Sequence, residues 1–403
     1  MKRKMLSMVL TAGLISTMLA PMSASAAIED YNIVTNAEEN KVIFDTDMGY
    51  FGDDTYALFM LLQADAANWI DLLGITSVGG NVTVAEGTTA ILNQLEATGR
   101  DDIPVYMGTD IPIMGLHDDN TIAANGLNRI KSMQKVLEYG DSISYDNLGD
   151  LEDPDWGYSS LKPEEKPAWE FMIDAVNENP GKVTIIAVGA CTNVAMAIKS
   201  DPTFAEKTAG IYYMGGAINV PGNDTPCAER NWYYDPESVD ICLQADFPKQ
   251  VVVPHDISYN QLLTKDKVEH IVNAGDTVYN NLVEEYAYPT FVEDPERQQK
   301  LWDAQVPGIF LCPDLISESD ERDIAMETNM GYTYGESVAW EAGTGPETSA
   351  TCTVVYDVDG EAYWNFVADL YSATFDNAES AETEAAETEA ATTETAVETE
   401  AAQ

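Results

Sequence analysis

Residues 41–62 read KVIFDTDMGYFGDDTYALFMLL, and this stretch decides the fold. Val42, Ile43 and Phe44 form a short apolar run, the signature of a buried strand. Asp45 and Asp47 stand at its carboxyl end, and Gly49 and Gly52 punctuate the loop that follows. Asp53 and Asp54 then lead into Tyr56–Leu62, an apolar run without Gly or Pro that predicts a helix buried on more than one face. In an open α/β sheet, ligands bind in the crevice outside the carboxyl ends of the strands. Asp45, Asp47, Asp53 and Asp54 converge there, and converging carboxylates repel one another until they gain protons or a cation. All-oxygen donors select a hard cation, Ca²⁺ ahead of Mg²⁺ where the cage is flexible and rich in carboxylates. Any one of these residues alone reads as a cap or a turn residue. Together, behind a buried strand, they predict a metal site.

Working outward, apolar strand-like runs alternate with helical ones. Strands are expected at Ile70–Val78, Pro104–Met107, Val183–Val188, Ile211–Met214 and Gln250–Val253. Helices are expected at Ala85–Thr98, at Glu164–Asn177 opened by Pro163, at Asn193–Ser200, at Pro236–Ala245 and at Glu361–Tyr371. This βαβα alternation predicts an open, mostly parallel α/β sheet with helices on both faces. No internal repeat or linker divides it. Gly115–Tyr158, rich in Asp, Asn and Gly, predicts an irregular excursion over one face. Past Cys312 the pattern yields a helix, some strands and the closing helix.

Each strand end carries polar groups. Gly79-Gly80-Asn81 follows the second strand, Cys191-Thr192-Asn193 the fourth, and Met214-Gly215-Gly216 the fifth, with Gly222-Asn223 and Ala228-Glu229-Arg230-Asn231 beyond. Glycines let backbone approach a ligand, and Asn offers both a donor and an acceptor. Asn193 alone reads as a cap. The strand ends in series predict a site for a polyhydroxylated ligand.

These residues resemble the nucleoside hydrolase family. DTDMGYFGDDTYAL is similar to its amino-terminal signature in a longer-loop variant, with two extra residues before the Asp pair. Met48 stands where the commoner form has Pro, and Phe51 where the longer form often has another Asp. Gly79-Gly80-Asn81 resembles the family's second ribose-contacting loop, and Cys191-Thr192-Asn193 its Leu-Thr-Asn turn. MGGAINVPGNDTPCAERNWYYDPESV resembles the block running from Met-Gly-Gly to Asp-Pro-Glu, and Leu301-Trp302-Asp303-Ala304 aligns with the last calcium-ligating Asp. The resemblance covers about Lys41 to Pro313. It implies a single nucleoside-hydrolase-like domain that cleaves the N-glycosidic bond of ribonucleosides to ribose and free base. In that reading Ca²⁺ is held by Asp47, Asp54, Asp303 and the carbonyl of Thr192, and Asp47 is the catalytic base that takes a proton from the ion's water. Asp53, Asn81, Asn223, Glu229 and Asn231 hold the ribose hydroxyls, Met214 packs beneath the ring, and Trp302 lines the base side. Trp302 stands where broad-specificity members have a His that serves the leaving base. Trp302, Trp232, Tyr233 and Tyr234 are the candidates to stack or protonate a nucleobase. His117 reads as a surface loop residue, and His255-Asp256 falls in a structural turn with a minor role.

The chain has 403 residues and a formal net charge of -49. Such an acidic chain argues against nucleic acid or an anionic membrane as partner. Lys2, Arg3 and Lys4, the apolar Met5–Ala20 and the small-residue site ending at Ala26 predict a secretory signal over 1–26, cleaved after Ala26. The expected mature product is an exported protein, with no later stretch apolar enough to span a bilayer. Residues 27–376 form the domain, and 377–403, almost wholly Ala, Glu and Thr, predict a solvated acidic tail. Five dispersed cysteines without CxxC spacing argue against zinc; export permits a disulfide, and burial as apolar side chains is the expectation for most. The expected partner is a small-molecule nucleoside, and a homo-oligomer stays open. Two other classes compete. An exported protein that captures a nucleoside or sugar without cleaving it would show two domains and a hinge. An Asp-x-Asp phosphatase would need a cation for its phosphate, and the strand ends offer only Arg230.

Overall fold

The computed structural model describes residues 28, 30–115, 131–139, 142–151 and 157–375. The expected signal segment, the acidic tail and His117 lie outside the described residues. Nine strands make the main sheet: β1 (Lys41–Thr46), β2 (Asp71–Ser77), β3 (Val105–Met107), β4 (Val183–Ala187), β5 (Gly210–Met214), β6 (Gln250–Val253), β7 (Ile316–Met326), β8 (Ser337–Glu341) and β9 (Ala350–Val358). From one edge they run β8-β7-β9-β6-β5-β4-β1-β2-β3. Every pair from β9 to β3 is parallel, whereas β9 with β7 and β7 with β8 are antiparallel. A mostly parallel sheet is therefore extended at one edge by an antiparallel ribbon.

Parallel strands need crossovers, and the helices supply them on both faces. α1 (Asp53–Ala66), α2 (Val84–Thr98), α7 (Gln305–Leu311) and α8 (Gly360–Ser372) cover one face; α3 (Ala168–Glu178), α4 (Thr192–Ser200) and α6 (Pro236–Leu243) cover the other, and the short α5 (Arg230–Tyr234) precedes α6. Alternate residues of each strand enter the two cores. Val42, Phe44, Ile75, Ile186, Met214 and Val253 join the first; Ile43, Ile185, Ala187, Ile211, Tyr213 and Val252 join the second. Burial on both faces explains why β1 and β4 read as continuous apolar runs rather than alternating ones. α1 is buried at every position from Asp54 to Ala64, as its unbroken apolar run predicts.

Two expectations need adjustment, and the burial expected of most cysteines holds. α3 begins at Ala168 behind Pro167 rather than at Glu164, because the backbone N–H of Glu164 donates to Val105 O at 2.7 Å and Glu164 bridges Tyr106 beside β3. The excursion between Gly115 and Tyr158 contains a helix, Lys131–Tyr139, in its described part. All five cysteines are free thiols; Cys191, Cys242, Cys312 and Cys352 are buried and Cys227 is partly exposed. Among the described residues no helix is long and apolar enough to cross a membrane.

Candidate active site

The strand order reverses between β1 and β4: the chain moves outward through β2 and β3, then returns to the other side of β1. Crevices form at such a switch point, outside the carboxyl ends of the strands. Asp45, in register with Thr76 and Ala187, is the next-to-last residue of β1 at this point. It is fully buried and accepts from Thr76 Oγ1 at 2.6 Å and from Asn193 Nδ2 at 2.8 Å. Asn193 also donates to Ser77 O at 3.0 Å, so one side chain ties the ends of β1, β2 and β4 together and is more than a cap.

Asp47 sits one turn of chain beyond, 1% exposed. Its Oδ2 accepts the backbone N–H of Asn81 at 2.6 Å; its Oδ1 is buried and meets no hydrogen-bond donor. The Gly79-Gly80 turn makes this contact possible, since a Cβ on Gly80 would lie 2.0 Å from Asp47 Oδ2. Ligand oxygens of Asp53, Asp54 and Asp303 lie within 4.8 Å of one another. Asp53 and Asp54 occupy the first turn of α1, behind Gly52 as its cap. Asp54 Oδ1 accepts from Thr46 Oγ1 at 2.5 Å, and Asp53 Oδ2 accepts the backbone N–H of Trp302 at 3.1 Å. Asp303 is buried, its Oδ1 without a donor.

The electrostatics of these carboxylates favour a positive charge among them. Burial lifts the Asp47 carboxyl to about 7, against the Asn81 N–H and with added repulsion from Asp53 and Glu229. Burial, then repulsion from Asp47 and Asp53, pushes Asp54 well above the ordinary carboxylate range. Asp303 is pushed well up in the same way, by burial and then by Asp53, Asp54 and Asp47. Buried carboxylates persist as anions only when paired or bound to metal. With oxygen-only donors and two orphaned carboxylate oxygens, the residues fit a hard divalent cation. Of the four expected ligands, Asp54 and Asp303 fall in the cluster and Asp47 stands within its electrostatic reach. Asp53, assigned to ribose by the resemblance, joins the cluster as well. Thr192 is buried as the first residue of α4, its Oγ1 donating to Asp235 Oδ2 at 2.7 Å.

The other expected residues line one pocket with Asp53 and Asp303: Asn81, Met214, Asn223, Glu229, Asn231 and Trp302, joined by Arg230. Glu229 caps α5, accepting from the N–H groups of Gly216 at 3.1 Å, Asn231 at 2.9 Å and Trp232 at 3.1 Å; burial nonetheless lifts it to about 7. Asn231 Nδ2 donates to Val188 O at 2.8 Å and lies 3.1 Å from Met214 Sδ, so its carbonyl oxygen is what it offers the pocket. Asn223 is arranged oppositely: its Oδ1 accepts the N–H of Arg230 at 2.8 Å, which leaves its amide N–H groups for a ligand.

Of the aromatic candidates, Trp302 lines the pocket and the others do not. Trp232 is fully buried in the second core, Tyr233 packs its ring on Tyr334, and Tyr234 donates its hydroxyl to Asp110 O at 2.7 Å. Phe51, in place of the extra Asp, packs against Phe59, Tyr56 and Tyr286. His255 has a closer part than its turn position suggested. It is 1% exposed, stacked at 5.9 Å on Trp302, and its Nδ1 accepts the indole N–H at 2.7 Å. Burial and the nearby Lys300 lower it to about 4, so the ring is neutral and able to accept. Asp256 holds the backbone N–H groups of Ile218 and Asn219 at 2.9 and 2.8 Å, a structural part as expected.

Comparison with known proteins places this geometry. Residues 42–365 match the model of the inosine-uridine preferring nucleoside hydrolases. Uridine nucleosidase 1 of Arabidopsis thaliana is 38% identical over 205 residues, 51% of this chain and 53% of that protein; the chain thus spans about half the length of that relative. The uncharacterized protein C1683.06c of Schizosaccharomyces pombe is 32% identical over 82% of this chain and 98% of its own. The pyrimidine-specific ribonucleoside hydrolase RihA of Citrobacter koseri is 31% identical over 81% of this chain and 96% of its own. Among solved structures, the plant nucleoside hydrolase PpNRh1 superposes with a TM-score of 0.66 at 27% identity, over 83% of this chain and 100% of that one. With its buried carboxylates at the switch point and the family's pattern across 42–365, the chain belongs to the inosine-uridine preferring nucleoside hydrolase family of enzymes.

Proposed function

We propose that this protein hydrolyses the N-glycosidic bond of ribonucleosides, releasing ribose and free base, with Ca²⁺ as its metal. One observation carries the reading: Asp47, with a buried, unpartnered Oδ1, is within electrostatic reach of the Asp53-Asp54-Asp303 cluster, and Asp53 and Asp303 of that cluster line a pocket together with amides and an indole. Uridine and other pyrimidine ribonucleosides are the first substrates to try, since relatives 28–38% identical are named for them.

A bound divalent cation would offset the carboxylates of Asp54, Asp303, Asp53 and Asp47 and polarise water and ribose oxygens. The side chains do the rest. Asn81 fixes Asp47 Oδ2, so Oδ1, which no other group occupies, is the atom that takes the proton of the attacking water. The Asn231 oxygen accepts from a ribose hydroxyl and the Asn223 amide donates to one. The transition state resembles an oxocarbenium ion, and the surrounding carboxylates favour its positive charge. The neutral His255 fixes the Trp302 indole at the rim, where it stacks the base.

A nucleoside panel assayed for free base and reducing sugar tests the reaction. Within that panel Trp302→Ala should lower kcat/KM unequally: base–aromatic stacking is worth about 1–3 kcal/mol, so purine and pyrimidine nucleosides should diverge. An equal loss on every substrate, tracking a fall in melting temperature, would reduce Trp302 to packing. We also read residues 1–26 as an export signal. Sequencing the protein recovered outside the producing cell should find Ala27 first; a retained Met1 would refute export by this segment.

A further inference from the structure

The pocket is acidic and amide-lined with one exception. Among its lining residues Arg230 alone carries a positive charge. Hydrolysis of the N-glycosidic bond, on which this inference rests, needs a positive group in one place. As the C1′–N bond breaks, its electron pair leaves on the base, and the negative charge spreads to the ring carbonyl oxygens. No histidine lines the described pocket, and His255 Nδ1 accepts the indole N–H of Trp302 instead.

Depth places Arg230 where that charge develops. Asp303, Glu229, Met214 and Asn231 are buried, Asp53, Trp302 and Arg230 are partly exposed, and Asn81 and Asn223 are exposed at the mouth. A ribose whose anomeric carbon reaches the carboxylates directs its base outward, toward the partly exposed wall that Trp302 and Arg230 share. The guanidinium is anchored there. Its Nη2 pairs with Asp224 Oδ1 at 3.1 Å, and the Arg230 backbone N–H is held by Asn223. A guanidinium has five N–H donors in a planar fork and stays charged at any working pH. One donor toward Asp224 leaves others for a ligand.

We propose that Arg230 is a catalytic residue that stabilises the departing base by donating N–H to its carbonyl oxygen. It transfers no proton. The water oxygen bonds to C1′, the water proton passes to Asp47, and the base leaves with the electron pair. Solvent water then protonates the base, Asp47 returns its proton to solvent, and nucleoside plus water becomes ribose plus base.

The test compares leaving groups. The mature wild-type protein, Arg230→Met and Arg230→Lys, each supplied with calcium, are assayed on uridine, on uridine 5′-monophosphate and on 4-nitrophenyl β-D-ribofuranoside, whose nitrophenolate departs unaided. Removing one donor to a developing anion costs about 10²–10³-fold in kcat. Arg230→Met should lose that much on uridine and less than about threefold on the nitrophenyl riboside, and Arg230→Lys should recover part of the uridine rate. Equal losses on both substrates would overturn the proposal, as would an unchanged uridine rate, including one with a loss confined to the 5′-monophosphate. Circular dichroism checks that the variants fold; should Arg230→Met not fold, the same leaving-group ratio is read from Arg230→Lys. A wild-type protein inert on every riboside would refute the hydrolase reading itself, a different outcome from failure of Arg230.

Discussion

Asp47→Asn is expected to lower kcat on ribonucleosides by about 10²–10⁴-fold, the usual cost of losing a general base. The amide keeps an oxygen near the cluster and nearly the same volume in a site where Asp47 is 1% exposed. It cannot take a proton, and it removes one negative charge from the neighbourhood of Asp54 and Asp303. KM should move less than kcat, because the lost interaction belongs to the transition state. Relief of repulsion should leave the metal-free variant at least as stable as the parent, since Asp47 raises the energy of ionised Asp54 and Asp303. A folded Asp47→Asn protein with near-normal turnover would remove Asp47 from the chemistry.

Removing the metal should abolish activity and lower the melting temperature, more so at pH 8 than at pH 5. A cation that binds the native state alone, at 100 times its Kd, stabilises by about 2.7 kcal/mol. The pH dependence follows from the raised carboxyls. Asp47 and Glu229 titrate near 7 in the fold, and Asp54 and Asp303 are likewise raised well above the ordinary carboxylate range, whereas unfolded Asp titrates at about 4. Between those values the unfolded chain has released protons that the metal-free native protein retains. Metal-free stability therefore falls as pH rises from about 4 through 7. A bound cation offsets the ionised carboxylates, so the melting-temperature gap with and without chelator should widen over that range. A gap that stays constant from pH 5 to 8, or closes, would contradict the cluster as a cation site.

Much of this was legible in the sequence because it is local. A buried strand, two Asp at its end, a Gly-rich loop and an Asp pair opening an apolar helix occupy consecutive residues, and the structure keeps them in that order. The Gly79-Gly80 turn was legible too, and its reason is now concrete: no other residue fits against Asp47 Oδ2. What escaped depends on partners far away in the chain. Asn193 reads locally as a cap, but its amide reaches Asp45, 148 positions earlier. His255 reads as a turn residue, yet it accepts from Trp302, 47 positions later. Pro163 looked like a helix opener because the pull of β3 on Glu164 has no local signature. The aromatic run at Trp232–Tyr234 invited a base-stacking role. α5 instead turns Trp232 into the core against Tyr213, at 6.1 Å and near a right angle. The antiparallel ribbon of β7, β8 and β9 was the least legible part, since the pairing direction of strands is not written in their alternation.

The central claim is that the carboxylate site cleaves a ribonucleoside rather than merely holding it, and product analysis of uridine tests it most directly. Purified mature protein with calcium is incubated with uridine, and chromatography follows uridine, uracil and ribose with time, with chelator and after calcium is restored. The account predicts uracil and ribose in equal amounts, their formation stopped by chelator and resumed with calcium. Uridine recovered intact from a protein that binds it in a calorimeter would contradict the account and leave a capture protein built on a hydrolase fold.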